Sequence, residues 1–264
     1  MSGAARLLDL LAAKGLRWPA PVEALATVSS TNDRLKELAR GGAPEWTAVM
    51  ADRQTAGRGR QGRSWVSHEG DLFLSVLLRP MPAAAGIGLV PLAAGIATQE
   101  ALAALGIVGR LKWPNDVLVG GRKIAGILCE AATGGLGVES VVVGIGVNVA
   151  APPQSLPAEL RAVAVSVRAL VTREVGPAEV AAEVLARLPL WYHETASGHV
   201  LCAAWRVRSV PWWGRPVEVR AAGSVLCGRA RGLAEDGGLL LDLDDGGVVT
   251  VRSGDVSELR LAEF

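Results

Sequence analysis

The run VVVGIGVNV, residues 141–149, carries no charged side chain and only one amide, Asn148. A strand of this composition has no polar face to turn toward water, so it belongs in the middle of a sheet that is covered on both sides. Upstream, RLKWPNDVLVGGRKIAGILCE (residues 110–130) holds two β-rich runs separated by Gly120 and Gly121, a hairpin signal. WTAVMADRQ (46–54) and DLFLSVLLRP (71–80) read as further strands, the second ended by proline.

Helical patterns lie between and around these strands. MSGAARLLDLLAAKG reads as an ordinary amphipathic helix, lacking the basic lead and small-residue cleavage site of a secretion signal. In VSSTNDRLKELARGG, Ser30 and Asp33 have the spacing of a capping box, Leu35 and Leu38 give a partial apolar stripe, and Gly41 and Gly42 stop the helix. Residues 80–99, PMPAAAGIGLVPLAAGIATQ, are uncharged and approach the length of a membrane span. They are mostly Ala and Gly, broken by Pro80, Pro82 and Pro91, and the spacing predicts a buried helix ending near EALAALG. APPQSLPAEL (151–160) is a proline-rich surface connection, and a helix with proline in its first turn is expected from Pro177, continuing to about Arg208.

The pattern changes at residue 211. From there, short alternating runs separated by Gly and Asp turns predict a small barrel of about five strands. A boundary near 210 divides the chain into 1–210 and 211–264.

With a net charge of +1, no global field steers the chain toward nucleic acid or a membrane surface. Cys129, Cys202 and Cys227 are scattered and, with three histidines, form neither a zinc pattern nor a disulfide framework; small buried residues in a reducing cytosol are expected.

Local charge is another matter. In DRQTAGRGRQGRSW (52–65), Gly57 to Gly62 fit the spacing G-x-G-x-x-G. A dinucleotide fingerprint also needs a helix opening at the loop and an acidic residue about 20 positions on, and RSWVSHEGDL has no helical period. No P-loop pattern occurs anywhere. What remains is Arg53, Arg58, Arg60 and Arg63 with no acid from 53 to 68. Alone, such a run is most simply a solvated basic loop. Guanidinium groups held close by glycines are also well matched to phosphate and carboxylate oxygens. KWPNDV (112–117) brings a lysine, an amide and a carboxylate together on a segment shaped by Pro114, and Lys123 lies among small and apolar residues, either as an edge residue or as a cation kept for a buried anion.

SSTN at a helix start, RQTAGRGRQGRSW, KWPNDV, GRKIAGILCE and VVVGIGVNV follow one another as in the biotin protein ligases, a family this chain resembles strongly over about residues 25–150; GDVSELR resembles the family's C-terminal barrel. The resemblance implies an α+β fold: a mixed central sheet with flanking helices, a class II synthetase-like catalytic domain, followed by a small C-terminal SH3-like β-barrel. It implies an ATP-dependent ligase that activates biotin as biotinyl-5'-AMP and transfers it to a lysine of a biotin carboxyl carrier domain.

Carried over by position, Ser30, Thr31 and Asn32 resemble the residues that meet the ureido ring of biotin, with Gln54, Gly57 and Arg58 lining its pocket. Arg60 resembles the arginine on the adenylate phosphate, Trp65 the aromatic residue beside it, and Lys123, with Gly126, the lysine that touches both the biotin carboxylate and the α-phosphate. Lys112, Asn115 and Asp116 resemble residues handling triphosphate and Mg2+, and Gly144 with Asn148 those near ribose and base. Asp116 is the candidate for positioning or deprotonating the carrier amine, so Lys123, Arg60 and Asp116 form the expected catalytic set. The adenine-covering segment should fall within 150–170, which has no aromatic residue; Leu156 and Val163 are its apolar candidates.

Some family members carry an N-terminal DNA-binding module, for which the stretch ahead of Ser30 leaves no room. A cytoplasmic enzyme without nucleic-acid or membrane partners is therefore expected, with monomer and sheet-edge homodimer both open. A lipoate or octanoate ligase and a non-catalytic nucleic-acid-binding protein are the competing readings. The GRGRxGRxW loop with KWPND speaks against the first, and the mixed charges of the barrel segment against the second.

Overall fold

A computed structural model of the chain describes residues 3–79, 84–135, 137–152, 156–221 and 224–258. Among these, seven strands, β1 (Val22–Val28), β2 (Ala48–Gln54), β3 (Leu72–Leu78), β4 (Arg110–Lys112), β5 (Asp116–Val119), β6 (Arg122–Gly134) and β7 (Gly137–Val147), form one mixed sheet. Their order is β1-β2-β3-β7-β6-β5-β4, which makes the apolar β7 the central strand, as its composition requires. Of these strands, β1 and β2 pair in parallel; the other neighbours are antiparallel. The β5–β6 turn is made by Gly120 and Gly121 at φ 55° and 76°, values suited to a tight hairpin and to glycine.

The α-helices of the described residues are α1 (Gly3–Ala13), α2 (Thr31–Arg40), α3 (Val90–Ala104), α4 (Ala158–Arg161), α5 (Pro177–His193) and α6 (Gly198–Arg208). Because side chains alternate along a strand, β3 sends Leu72, Leu74, Val76 and Leu78 to one face and Phe73, Ser75 and Leu77 to the other. The first set joins Val141, Val143, Ile145 and Val147 of β7 in the main core, covered by α1, α3 and α5. On the second face, Leu77 and Val142 meet Leu35 of α2 in a smaller cluster that stops short of the strand ends, and the remainder of that face forms the floor of a cavity.

α3 is buried nearly all round, between the sheet, α5 and α6, which accounts for its lack of a polar stripe. Gly86–Ala104 has the length and hydropathy of a membrane span, but most of it is buried in the protein interior. Pro91 stands in the first turn of α3, while Pro80 and Pro82 lie outside the described residues.

Two local expectations change. Ser30 caps α2 without a side-chain hydrogen bond, and Asp33 is drawn away to Arg58 by a bidentate ion pair. The helix from Pro177 does not run unbroken to Arg208: it ends at His193, passes through a 3-10 turn at Glu194–Ala196 and restarts as α6 after Ser197, whose backbone (φ −122°, ψ 84°) leaves the helical region and interrupts the ladder.

Beyond α6, β8 (Pro216–Ala221), β9 (Ser224–Leu233), β10 (Leu239–Asp242), β11 (Val248–Val251) and β12 (Asp255–Glu258) form a five-stranded antiparallel sheet ordered β11-β10-β9-β8-β12. Its apolar face, including Val217, Val219, Leu239 and Leu241, is continuous with the main core. The Trp113 indole N–H donates to the Gly237 carbonyl at 3.0 Å, tying the KWPND segment to this C-terminal sheet.

Candidate active site

The cavity floor is built by omission of side chains. Gly126 of β6 and Gly146 of β7 are cross-strand partners, and Gly144 lies two residues before Gly146 on the same face. The Trp65 ring rests on this bare patch. A Cβ at Gly146 would come within 2.7 Å of the ring, and one at Gly126 within 2.8 Å of the ring and 3.0 Å of Lys123 Nζ. Gly144 lies under Asn32, where a Cβ would approach Oδ1 to 2.3 Å. Glycine is therefore required here for close approach.

One end of the cavity is polar and closed. Ser30, Thr31 and Asn32, at the start of α2, are buried. The Thr31 N–H donates to Gln54 Oε1 at 2.8 Å, and Asn32 Nδ2 donates to Glu130 Oε2 at 2.7 Å and to the Leu128 carbonyl at 3.3 Å. Ser75, fully buried in the centre of β3, lies 2.6 Å from Asn32 Oδ1 and 2.8 Å from Thr31 Oγ1. Around the rim, Lys36 donates to Glu130 at 2.6 Å, and Arg58 bridges Asp33 and Glu130. Burial pushes the Glu130 carboxyl up, but hydrogen bonds from Lys36 and Asn32 outweigh it and hold Glu130 below the usual carboxylate range. Asp33 is held low by its hydrogen bond to Arg58, against a smaller burial effect.

The arginine loop is a tight hairpin. Arg58 and Ser64 form an antiparallel bridge, the Trp65 N–H donates to the Gly57 carbonyl at 3.0 Å, and the tip turns through Gln61 and Gly62 at φ 56° and 73°. Its only helical residues are a single 3-10 turn, Arg60–Gly62, so the loop is no Rossmann turn. Gly57 lies outside the cavity lining, but a Cβ there would fall 2.8 Å from the Trp65 carbonyl oxygen, so its lack of a side chain lets the hairpin close. Arg60 reaches across the cleft, donating to the Gly254 carbonyl and Ser253 Oγ, each at 3.2 Å, and to Asn115 Oδ1 at 3.4 Å; Arg63 pairs with Asp255. Burial lowers the pKa of the Arg60 guanidinium; Asp116 opposes that shift and Arg63 adds to it.

Opposite the loop, Lys123 Nζ lies 2.6 Å from Asp116 Oδ1 and 5.2 Å from the centroid of the Trp65 ring. Asp116 Oδ1 is buried without a hydrogen-bond partner, so its contact with Lys123 is an ion pair by distance. The Trp65 indole N–H is buried without an acceptor, a donor available to a ligand oxygen. Asn115 Nδ2 donates to the Ile127 carbonyl at 2.7 Å, fixing the amide so that Oδ1 faces Arg60.

The far wall comes from residues 156–164. Lys123 exchanges backbone hydrogen bonds with Val163 and Val165, and Leu156, Leu160, Val163 and Ala164 line the cavity as an apolar strip. Asn148 is a clasp in this wall: its Nδ2 donates to the carbonyls of Lys123 at 3.2 Å and Val165 at 3.3 Å. Behind it, the buried Asp71 accepts the backbone N–H groups of Val149, Ala150 and Ala151 at 2.8, 2.9 and 3.1 Å. Burial raises the Asp71 carboxyl pKa, with those three donors opposing.

Ser30, Thr31, Asn32, Gln54, Arg58, Arg60, Trp65, Asn115, Asp116, Lys123, Gly126, Gly144 and Asn148 thus converge on one cavity of about 300 Å³. Lys112 does not line it; it belongs to β4, the edge strand farthest from β7 on that side. Gly144 sits with the Thr31–Asn32 end of the cavity, away from Asn148. Ser75, Glu130 and Asp255 were not expected from the sequence; a lone serine in the apolar run LFLSVLL was the only local signal for the first. Among the described residues no cluster of three or more His, Cys, Asp or Glu side chains could hold a metal, and all three cysteines are unpaired; of these only Cys202 is buried as expected, Cys129 being half-buried and Cys227, on the C-terminal sheet, exposed.

The cavity combines a polar recess, an apolar wall and cations on both sides, a set suited to a ring-bearing carboxylate and a nucleotide phosphate. Residues 24–148 match the biotin/lipoate A/B protein ligase family, and residues 213–257 match the biotin protein ligase C terminal domain. The chain is 34% identical to the biotin--[acetyl-CoA-carboxylase] ligase of Mycobacterium tuberculosis, over 96% of this chain and 94% of that protein. It is 35% identical to the bifunctional ligase/repressor BirA of Bacillus subtilis, over 87% of this chain and 71% of that protein. The structure of a biotin protein ligase from Aquifex aeolicus in complex with biotin and ATP superposes with a TM-score of 0.78 at 32% identity, covering 91% of this chain and 99% of that one. The two parts of the chain, its cavity and these extended similarities agree: the chain belongs to the biotin protein ligase family.

Proposed function

We propose that this chain activates biotin with ATP to biotinyl-5'-AMP, releasing pyrophosphate, and then transfers the biotinyl group to a lysine of a biotin carboxyl carrier domain, releasing AMP. The observation that carries the reading is the placing of Lys123 and Arg60 on either side of a cavity whose closed end is a buried array of hydrogen-bonding groups.

Attack of the biotin carboxylate on the α-phosphorus brings two anions together and loads charge onto the phosphoryl oxygens. Lys123, between the polar recess and the apolar strip, is placed to neutralise both groups at once, and Arg60 and the free Trp65 N–H are the further donors for those oxygens. Ser30, Thr31, Asn32, Gln54 and Arg58, over the floor of Gly126 and Gly144, hold the ureido ring. Leu156, Leu160 and Val163 offer the adenine an aliphatic face, and Asn148 keeps that segment in register with Lys123. Asp116 shares the Lys123 ammonium and so sits where an incoming carrier amine must arrive; we assign it the positioning of that amine. No role inside the cavity is assigned to Lys112.

Mg2+ would neutralise the departing pyrophosphate. Asn115 and Asp116 fit an ion held mainly by phosphates and water with one carboxylate, the usual Mg2+ arrangement, and do not fit a dedicated protein cage. The division near residue 210 into a biotin- and ATP-binding domain and a C-terminal domain, and a cytoplasmic setting with reduced cysteines, belong to the same proposal.

A lipoate or octanoate ligase is less well supported by the recess. An aliphatic chain or dithiolane would make no use of the lone pairs that Thr31 Oγ1 keeps beyond its internal bonds, whereas a cyclic urea offers N–H donors to them. The test is biotin-dependent exchange of labelled pyrophosphate into ATP. Exchange with biotin and none with lipoate or octanoate is expected; exchange with lipoate or octanoate alone contradicts the reading.

A further inference from the structure

We propose that Ser75, held in register by Glu130 through Asn32, sets the hydrogen-bond polarity of Thr31, so that the recess accepts a ring N–H and rejects a ring oxygen at that point. This rests on the biotin reading above and deepens it: Ser75 and Glu130 are positioning residues for ligand specificity and touch no substrate themselves.

The argument follows the hydrogens. Asn32 Nδ2 faces two acceptors, the Glu130 carboxylate at 2.7 Å and the Leu128 carbonyl at 3.3 Å. A flipped amide would set Oδ1 against both, so the orientation is fixed. Lys36 and Arg58 keep Glu130 ionised and therefore acceptor-only. Asn32 Oδ1 then points at Ser75, 2.6 Å away, and an amide oxygen can only accept, so the single hydroxyl hydrogen of Ser75 is committed to it.

Ser75 Oγ is left with lone pairs facing Thr31 Oγ1 at 2.8 Å, inside the usual O–H···O distance. Thr31 therefore turns its own hydrogen onto Ser75. Its other oxygen neighbour, Gln54 Oε1, lies farther away at 3.1 Å and already receives the Thr31 N–H. Either oxygen draws the hydroxyl hydrogen into the protein, and the shorter contact assigns it to Ser75. Only lone pairs of Thr31 Oγ1 remain for a ligand. All of Ser75 is buried in the middle of β3, so no water can reverse the chain of bonds.

A urea ring presents N–H at both flanks of its carbonyl and satisfies such an acceptor. A cyclic carbamate in which a ring N–H is replaced by oxygen places lone pair against lone pair. The shape is unchanged and only the polarity differs, which separates this effect from cavity size.

The experiment is calorimetric titration of the full chain with biotin and with both carbamate isomers. Wild type should bind one isomer roughly 10- to 100-fold more weakly than biotin, the range set by an unpaired buried acceptor. Ser75→Ala removes the nearer acceptor and leaves Thr31 only the longer contact to Gln54 Oε1, which already receives the Thr31 N–H, so the hydroxyl can turn to a ligand oxygen and the ratio should fall severalfold; Thr31→Val should bring it near unity. Glu130→Gln, at a partly exposed position, lets the Asn32 amide turn and should also lower the ratio, covering the case in which Ser75→Ala fails to fold. A wild-type ratio retained in both Ser75→Ala and Glu130→Gln overturns the relay while leaving the ligase reading intact. Wild type that fails to bind biotin overturns the ligase reading, and the assigned ligand polarity with it.

Discussion

Lys123 Nζ and Asp116 Oδ1 lie 2.6 Å apart across the β5–β6 bend, so the one lysine that lines the cavity among the described residues is paired with a carboxylate that an incoming substrate anion must compete with. If Lys123 stabilises the phosphoryl transfer, Lys123→Met should lower kcat for biotin-dependent pyrophosphate exchange by about 100- to 1,000-fold, as for loss of one oriented donor at a developing charge. Biotin affinity should fall much less. Equal losses in affinity and rate would place Lys123 in ground-state binding alone.

The glycine floor can be filled one methyl at a time. Gly146→Ala drives a Cβ into the Trp65 ring, which rests on a loop and can shift, so biotin and ATP binding should weaken with little change in Tm. Gly144→Ala meets Asn32 Oδ1 at 2.3 Å in a buried network and should cost about 1–3 kcal/mol of stability, the range for overpacking. Thermal unfolding beside titration calorimetry separates the two.

Asp71 offers a contrast between its charge and its oxygen. Its carboxyl is raised by burial, so ionisation opposes folding as pH rises through its native value, while its Oδ1 gathers three backbone N–H groups behind Asn148. Asp71→Asn keeps an acceptor and removes the buried charge, so the stability of the variant relative to wild type should improve as pH is raised from about 4, the ordinary carboxylate range, toward neutrality. Asp71→Ala should cost about 1–3 kcal/mol and raise KM for ATP more than for biotin, because the backbone of 149–151 behind Asn148 loses its anchor. Equal KM changes for both substrates would show that the anchor is not specific to that segment.

Asp33 and Glu130 shift in the other sense. Their native carboxyls are held low, Asp33 chiefly by its hydrogen bond to Arg58; at Glu130 burial pushes upward and the hydrogen bonds from Lys36 and Asn32 overcome it. The stability they contribute is therefore complete above ordinary carboxylate values, about pH 4, and is lost as pH falls through their depressed native values. Tm followed downward from about pH 5 should fall less steeply in an Asp33→Asn, Glu130→Gln double variant than in wild type; parallel curves would show that other carboxylates govern acid unfolding.

The loop is clamped from the C-terminal sheet by Arg63 with Asp255 and by Arg60 with Ser253 and Gly254. Asp255→Ala should speed proteolytic cleavage after Arg63 in the absence of ligand, and biotin with ATP should restore protection. Unchanged cleavage would mean that the hairpin's own bonds, Gly59 N–H to the Arg63 carbonyl and Trp65 N–H to the Gly57 carbonyl, suffice to order it.

What could be read from the chain beforehand follows the range of the interactions. The central place of β7, the Gly120–Gly121 hairpin and the five short C-terminal strands are written in composition and period, which act over a few residues. The convergence of SSTN, the arginine loop, KWPND and Lys123 was legible through the family resemblance, because each motif is contiguous. Asp33 was misassigned to a capping box since its partner Arg58 lies on another element. Ser75 looked like one polar residue in an apolar strand; its meaning depends on Asn32 and Thr31 being packed over it by α2. The break at Ser197 was marked only by the Ser197–Gly198 dipeptide, a turn signal outweighed by the helical patterns on either side.

Catalysis itself is tested most directly by intact mass spectrometry of a biotin carboxyl carrier domain incubated with this protein, biotin and Mg-ATP. The expected result is the gain of one biotinyl group on the carrier lysine, absent without ATP and strongly reduced with Lys123→Met. A carrier of unchanged mass, under conditions where an authentic biotin protein ligase modifies it, would contradict the proposed function.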